Sequence, residues 1–204
     1  ALARDYEAAS GNKVEEFYGN MAQVIAQTRQ SERVGLIVGD LAFLQNAKEI
    51  HFTGFVPLGA GKLVLAYAKG KSMQTPLTLA DADYKRIAIP DSRNAIYGKA
   101  AEEFLETSGL AARVKDKLLM VATVPQVSAY LVSGEVDAGF INITDVMGIH
   151  DKIGGYLDID PKSSTPIKIV GGIVEGWETK TEAKAFVDYL KTAPARNILE
   201  KNGL

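Results

Sequence analysis

The fold is decided by residues 86–109, which read RIAIPDSRNAIYGKAAEEFLETSG. The apolar run Arg86–Ile89 predicts a short buried strand, which ends at Pro90 because proline cannot donate to a strand ladder. From Ala95 to Ser108 the apolar residues recur at helical spacing, and Gly109 is typical of the residue that follows a helix. This strand, turn and helix form the repeating unit of an α/β fold.

The same alternation continues on both sides of this unit. Lys117–Ala122 and Val136–Ile141 predict two further strands, and Pro125 opens a helix between them. Towards the N-terminus, Val14–Tyr18 and Arg33–Val38 predict strands that are each followed by a helix. The repeated βα pattern favours parallel strands flanked by helices.

Two longer β-type runs, Lys62–Lys69 and Ile167–Val174, bracket this middle block. We interpret them as crossover strands of a discontinuous, two-lobed α/β fold in which each lobe is a mostly parallel sheet flanked by helices. Lobe one would comprise residues 1–65 and 172–204, and lobe two residues 66–171. One continuous doubly wound sheet is the alternative.

The N-terminal segment predicts that lobe one lacks its first strand. Ala1–Ser10 has the pattern of the latter half of a helix, with no cap or strand before it. We therefore expect a strand before Ala1, which would belong beside Val14–Tyr18 and Arg33–Val38.

The composition excludes several classes of function. The chain has 204 residues and a net charge of −2, with no basic stripe of the kind that nucleic-acid-binding proteins carry. It has no cysteine, which excludes disulfides, thiolate metal sites and cysteine nucleophiles. No apolar run approaches the length of about 18 residues that a membrane-spanning helix needs.

Enzyme motifs are also missing from the sequence. There is no phosphate-binding Gly-Lys-Ser/Thr loop and no Gly-x-Ser-x-Gly nucleophile turn. The two histidines, His51 and His150, do not stand in a ligand-spaced cluster, and the spacing of Asp145 and Asp151 does not put them on one helical face. We expect no enzyme activity, no metal site and no cofactor.

The remaining candidates for chemistry are the turns between strands and helices. In open α/β sheets, ligands bind at the carboxyl ends of strands, and the free N–H groups of helix N-termini attract anions. Polar and small residues occupy several such turns, including Gly19-Asn20, Asn94-Ala95 and Asn142. Such residues also serve as helix caps, and this is the interpretation we prefer for Asp40.

Several segments resemble the family of bacterial periplasmic molybdate-binding proteins. The resemblance lies in residues 91–100 (DSRNAIYGKA), 105–110, 114–118, 127–140 (VSAYLVSGEVDAGF) and the C-terminal segments 185–191 and 198–204, and it extends over nearly the whole chain. It implies a two-lobed, periplasmic-binding-protein-like receptor that binds an oxyanion of the molybdate or tungstate type, or another small anion, in the cleft between its lobes.

The resemblance also implies partners and ligand contacts. It implies a monomer in the periplasm or outside the cell, associated with the membrane through the permease of an ABC transporter, and no nucleic-acid partner. The positions that match the ligand-contacting points of the family are Gly19 and Asn20 on one lobe, with Asn94, Ala95, Val124 and Asn142 on the other. Gly19-Asn20 replaces a serine that is usual in the family, and Asn142 replaces a tyrosine.

Two other classes of function use the same architecture. An effector-sensing domain of a transcriptional regulator would be preceded by a helix-turn-helix module. An enzyme on this fold would need a constellation of histidine, cysteine or lysine residues in its turns, and none is present.

Overall fold

The computed structural model describes residues 1–31 and 33–204, in which no helix has the length and apolar character needed to span a membrane. By its internal contacts the chain divides into two compact units, residues 1–60 with 167–204, and residues 61–166. The predicted lobe boundaries lie after residues 65 and 171, a few residues later than the divisions between these two units. The lobe boundaries stay a prediction.

Helices and strands alternate along most of the described chain. In order they are α1 (Leu2–Ser10), α2 (Met21–Ser31), β1 (Leu36–Asp40), α3 (Leu41–Asn46), β2 (Phe52–Gly61), β3 (Leu63–Tyr67), β4 (Ile87–Pro90), α4 (Ile96–Thr107), α5 (Ala111–Val114), β5 (Leu118–Val121), α6 (Val124–Ser133), β6 (Ala138–Asn142), α7 (Ile143–Ile149), β7 (Gly155–Asp158), β8 (Ile167–Val174), α8 (Thr181–Leu190) and α9 (Ala193–Lys201).

The first unit, residues 1–60 with 167–204, has a three-stranded sheet in the order β1-β8-β2. β1 and β8 are antiparallel, so that Leu36 lies opposite Ile173 and Asp40 lies opposite Ile169. Ile37 of β1 and Leu44 of α3 are buried in the core beside this sheet. Burial of such side chains contributes roughly 1.5–3 kcal/mol each to folding, which fixes the start of α3 next to the end of β1.

The second unit, residues 61–166, has a five-stranded sheet in the order β5-β4-β6-β3-β7. β4 is parallel to both β5 and β6, because α4 and α6 return the chain to the same edge before each new strand. β3 is antiparallel to β6 and β7. The α/β class is confirmed, whereas the sheets are more mixed in direction than the mostly parallel sheets predicted.

One predicted strand of the first unit is wrong. Val14–Tyr18 has no regular secondary structure and pairs with no strand in the described parts of the chain. Its aromatic residues are exposed, Phe17 to 47% and Tyr18 to 85%. A single extended segment without a hydrogen-bonding neighbour or a buried face gains too little to be held as a strand.

Candidate functional site

Three strand ends meet at one edge of the sheet in the second unit. Pro90 at the end of β4 lies opposite Val121 at the end of β5. β6 runs in the same direction as β4 and ends at Asn142. Each of the three strands is followed by a helix, so that α4, α6 and α7 all begin at this edge. We call it the carboxyl edge; of the predicted site residues it holds Asn94, Ala95, Val124 and Asn142.

The turn after β4 is organised by the carboxylate of Asp91. Its Oδ1 accepts hydrogen bonds from the backbone N–H and the Nε of Arg93, at 3.1 and 2.9 Å. Its Oδ2 accepts from Arg93 Nη2 at 2.8 Å and from Asn94 Nδ2 at 3.2 Å. These bonds, led by those from the Arg93 side chain, lower the pKa of Asp91 from 3.8 to about 2. The carboxylate therefore stays ionised and neutralised by Arg93 at physiological pH.

The same turn uses the donors of the two predicted contact residues. The backbone N–H groups of Asn94 and Ala95 both donate to the carbonyl oxygen of Asp91, at 3.1 and 2.9 Å. Asn94 and Ala95 therefore shape the turn that leads into α4. Ile96 is the first residue of α4. Its backbone N–H has no hydrogen-bond acceptor within the helix, because no helical turn precedes it.

Gly98 brings the first turn of α4 against the end of β4. A Cβ atom at this position would lie 2.2 Å from the carbonyl oxygen of Pro90 and 3.0 Å from the carbonyl carbon of Asp91. No side chain fits at such distances, so that glycine is required for this close approach. The helix N-terminus and the strand end consequently lie in direct contact at the carboxyl edge.

The turn after β5 is a capped helix start. Thr123 Oγ1 accepts from the backbone N–H of Gln126 at 3.3 Å, and Gln126 Oε1 accepts in return from the N–H of Ala122 at 3.1 Å. The side chain of Val124 is buried in the core below this turn. Val124 therefore has only its backbone N–H to offer a ligand, as first residue of α6, and Pro125 beside it has none.

Asn142 caps the helix that follows β6. Its Oδ1 accepts from the backbone N–H of Asp145 at 2.7 Å, and its Nδ2 donates to Asp145 Oδ2 at 3.4 Å. Burial raises the pKa of the Asp145 carboxyl, and the hydrogen bond from Asn142 partly offsets this rise. The second N–H of the Asn142 amide is not used by these two bonds. A contact of Asn142 with the ligand stays a prediction.

Gly19 and Asn20 lie in the first unit, before α2. Asn20 Oδ1 accepts from the N–H of Gln23 at 2.9 Å, and Gln23 Oε1 accepts from the N–H of Asn20 at 3.0 Å, which forms a reciprocal helix cap. Met21 packs against Gly39, so that this helix start lies near the end of β1. A contribution of Gly19 and Asn20 to the ligand stays a prediction.

Asp40 is a helix cap, as predicted. Its Oδ1 accepts from the N–H of Phe43 at 3.0 Å, and its Oδ2 accepts from the N–H of Lys168 at 3.1 Å. The same carboxylate therefore fixes the start of α3 and joins it to β8.

The polar residues set aside in the sequence lie away from any cluster. His51, His150 and Asp151 are exposed. In residues 1–31 and 33–204, no group of three or more histidine, aspartate and glutamate side chains is arranged to hold a metal ion.

Sequence reasoning assigned no role to one charged residue of the carboxyl edge, Arg93. It considered Asp145 only as a partner of Asp151, whereas the Asp145 carboxylate accepts a hydrogen bond from Asn142. The signal for Arg93 was its position two residues after Asp91, in a turn rich in polar residues. Aspartate side chains in such turns commonly bond the backbone two residues on, and the bond to Arg93 N–H is of this kind.

Comparison with known proteins places the chain among binding proteins. Residues 1–204 match the family described as bacterial extracellular solute-binding protein. A binding protein of Haemophilus influenzae is 26% identical over 196 residues, which cover 94% of this chain and 79% of that protein. The molybdate-binding protein of Rhodobacter capsulatus is 30% identical over 144 residues, which cover 70% of this chain but only 56% of that protein.

The fold agrees with this assignment. The periplasmic molybdate-binding protein of Azotobacter vinelandii superposes with a TM-score of 0.88 at 23% identity, over 99% of this chain and 91% of that one. At this sequence identity the structural similarity establishes the two-lobed fold but not the ligand. From the family match over its whole length, the chain belongs to the bacterial extracellular solute-binding proteins, which bind their solutes and are not enzymes.

Proposed function

We propose that this protein binds a small oxyanion, of the molybdate or tungstate type, and delivers it to the permease of an ABC importer. The observation that supports this most is the meeting of three strand ends at the carboxyl edge, each followed by a helix. Anions are favoured at helix N-termini by unpaired N–H groups and by the helix dipole.

The donors available at this edge suit a small anion. The first residues of α4 and α6, Ile96 and Val124, each present a backbone N–H, and Asn142 retains one amide hydrogen. Asp91 is neutralised by Arg93 and does not repel an anion as a free carboxylate would. We include Gly19 and Asn20 in the proposal as donors from the first unit.

The importer role rests on the relatives. The Rhodobacter and Azotobacter proteins are named as molybdate-binding, the latter as periplasmic, and a related lipoprotein of Bacillus subtilis is named as substrate-binding for an ABC transporter. We propose further that this protein works as a monomer in the periplasm or outside the cell, and that it reaches the membrane by docking on its transporter. A permease is accordingly its macromolecular partner.

A thermal-shift screen tests the ligand class. The purified protein is melted with molybdate, tungstate, sulfate, phosphate and small carboxylates, with chloride and a neutral sugar as controls. A ligand at 100 times its Kd stabilises the folded state by about 2.7 kcal/mol, which corresponds to a rise in Tm of roughly 5–10 °C for a chain of this size. A rise with one or more oxyanions supports the proposal; equal melting temperatures in all solutions contradict it.

A further inference from the structure

The ion pair after β4 has an unequal exposure of its two charges. The side chain of Asp91 is 13% exposed, whereas that of Arg93 is 79% exposed. The carboxylate faces the protein and is fully occupied by hydrogen bonds, two on each oxygen. The pair is formally neutral, but its positive end faces solvent at the carboxyl edge.

The guanidinium of Arg93 has donors to spare. Of its five N–H groups, Asp91 takes one on Nε and one on Nη2. Three remain, two on Nη1 and one on Nη2. Because the same carboxylate also holds the backbone N–H of Arg93, the side chain and its turn are fixed together. The free N–H groups are therefore oriented before any ligand arrives, which lowers the entropy lost on binding.

Arg93 is the one cation of the turn segments at this edge. The three turn segments 91–95, 122–126 and 142–146 contain two carboxylates, those of Asp91 and Asp145, and one cation, that of Arg93. The formal charges of these segments sum to −1 with the guanidinium and to −2 without it, so that Arg93 reduces the repulsion that an anion would meet at this edge. Arginine also matches anions with two oxygens on one atom, which it binds through two parallel N–H bonds.

We propose that Arg93 binds the ligand directly and sets its class, an anion that presents two oxygens of one atom to the free N–H groups of the guanidinium. Tetrahedral oxyanions and carboxylates share this chemistry. The inference rests on the proposed function, because it assigns a contact and a specificity to the same site.

Titration calorimetry on four proteins tests this role, with molybdate, sulfate and phosphate as tetrahedral probes and succinate as the carboxylate probe. The proteins are the wild type, Arg93→Gln, the double variant Asp91→Asn/Arg93→Gln, and Arg113→Gln. Arg113 is exposed on α5, which leads into the start of β5 and so lies towards the opposite edge of the sheet. The variant Arg113→Gln loses the same positive charge in the same unit and serves as the matched control.

The double variant separates contact from charge balance. Arg93→Gln alone leaves Asp91 buried without its cation, which by itself lowers the melting temperature. Asp91→Asn removes that charge, so that the double variant melts closer to the wild type while it still lacks the guanidinium. We expect both variants to bind the preferred anion at least tenfold more weakly than the wild type, and Arg113→Gln to bind it equally well.

Two results overturn the inference. Wild-type affinity in Arg93→Gln would remove the residue from the site, and recovery of affinity in the double variant would reduce its role to neutralising Asp91. If the wild type binds none of the four probes, the proposed function is contradicted as well. If the wild type binds a probe and the variants bind it equally well, only the Arg93 assignment fails. If the variants lose affinity for molybdate, sulfate or phosphate, the ligand is a tetrahedral oxyanion; if they lose affinity for succinate, the ligand is a carboxylate.

Discussion

Gly98→Ala should displace the first turn of α4 from the carboxyl edge. The added Cβ would lie 2.2 Å from the Pro90 carbonyl oxygen and 2.8 Å from its carbonyl carbon. Carbon and oxygen atoms in close contact normally stay about 3.3 Å apart, so that the helix start must move by roughly 1 Å. Both contacts are with backbone, which cannot rotate away as a side chain could.

The free energy of the change can be estimated from two opposing effects. Overpacking of this kind costs about 1–3 kcal/mol, and alanine in place of glycine in a helix returns about 1 kcal/mol. The net expectation is a loss of stability of up to about 2 kcal/mol. The anion affinity should fall too, because the Ile96 N–H and the Asp91 turn move with the helix start.

Gly148→Ala provides the matched control, since it makes the same chemical change in a helix. Gly148 is exposed in α7, and a Cβ atom added there would have no neighbouring atom within 4 Å, so that the substitution should stabilise the protein by about 0.5–1 kcal/mol. Urea unfolding and anion titration of both variants are the assays. Equal stability of the two variants would refute the close-packing argument, and unchanged affinity in Gly98→Ala would refute the position of the site.

Three further predictions concern the polar residues. Asn142→Ser keeps a cap for α7 but replaces the amide by a shorter hydroxyl donor, so that the free energy of unfolding should change little while anion affinity falls. Asn142→Leu removes the donor and the cap, so that affinity should fall by about 1.5–3 kcal/mol and stability by about 1 kcal/mol; calorimetry and thermal melts measure the two effects, and unchanged affinity in Asn142→Leu would contradict the contact. Because the pKa of Asp91 falls from 3.8 to about 2 on folding, its ionised form stabilises the protein above about pH 4, and this contribution is lost as the pH falls to 2. Thermal melts between pH 4 and pH 2 should therefore show that the Tm difference between the wild type and Asp91→Asn becomes smaller, and a constant difference would contradict the ion pair. Asn20→Asp keeps the cap of α2 and adds a negative charge, so that stability should hold and anion affinity should drop, whereas unchanged affinity in a titration would exclude Asn20 from the site.

The strand ends of the carboxyl edge were predictable because they depend on local patterns. The predicted strand Arg86–Ile89 and helix Ala95–Ser108 are found as Ile87–Pro90 and Ile96–Thr107. The apolar runs and the helical spacing needed no knowledge of the rest of the chain. That polar residues in these turns serve as helix caps also came from local chemistry, and Asn142 is such a cap, at the start of α7.

Features that depend on distant neighbours were not predictable in this way. β2 contains Pro57 and several glycines, which argue against a strand, but it lies at the edge of its sheet, where proline is tolerated. β7 has four residues, too few to show an alternating pattern. Val14–Tyr18 has a strand-like pattern without a paired neighbour, and the pattern alone could not reveal this.

The central claim is that an oxyanion binds at the carboxyl edge, and a nitrogen–proton correlation NMR titration tests it most directly. With molybdate, the amide signals of Asn94, Ala95, Val124 and Asn142 should shift together and saturate with one common Kd, while Arg113, towards the opposite edge, should not move. Shifts that do not saturate, or that are largest around Arg113, would contradict the account.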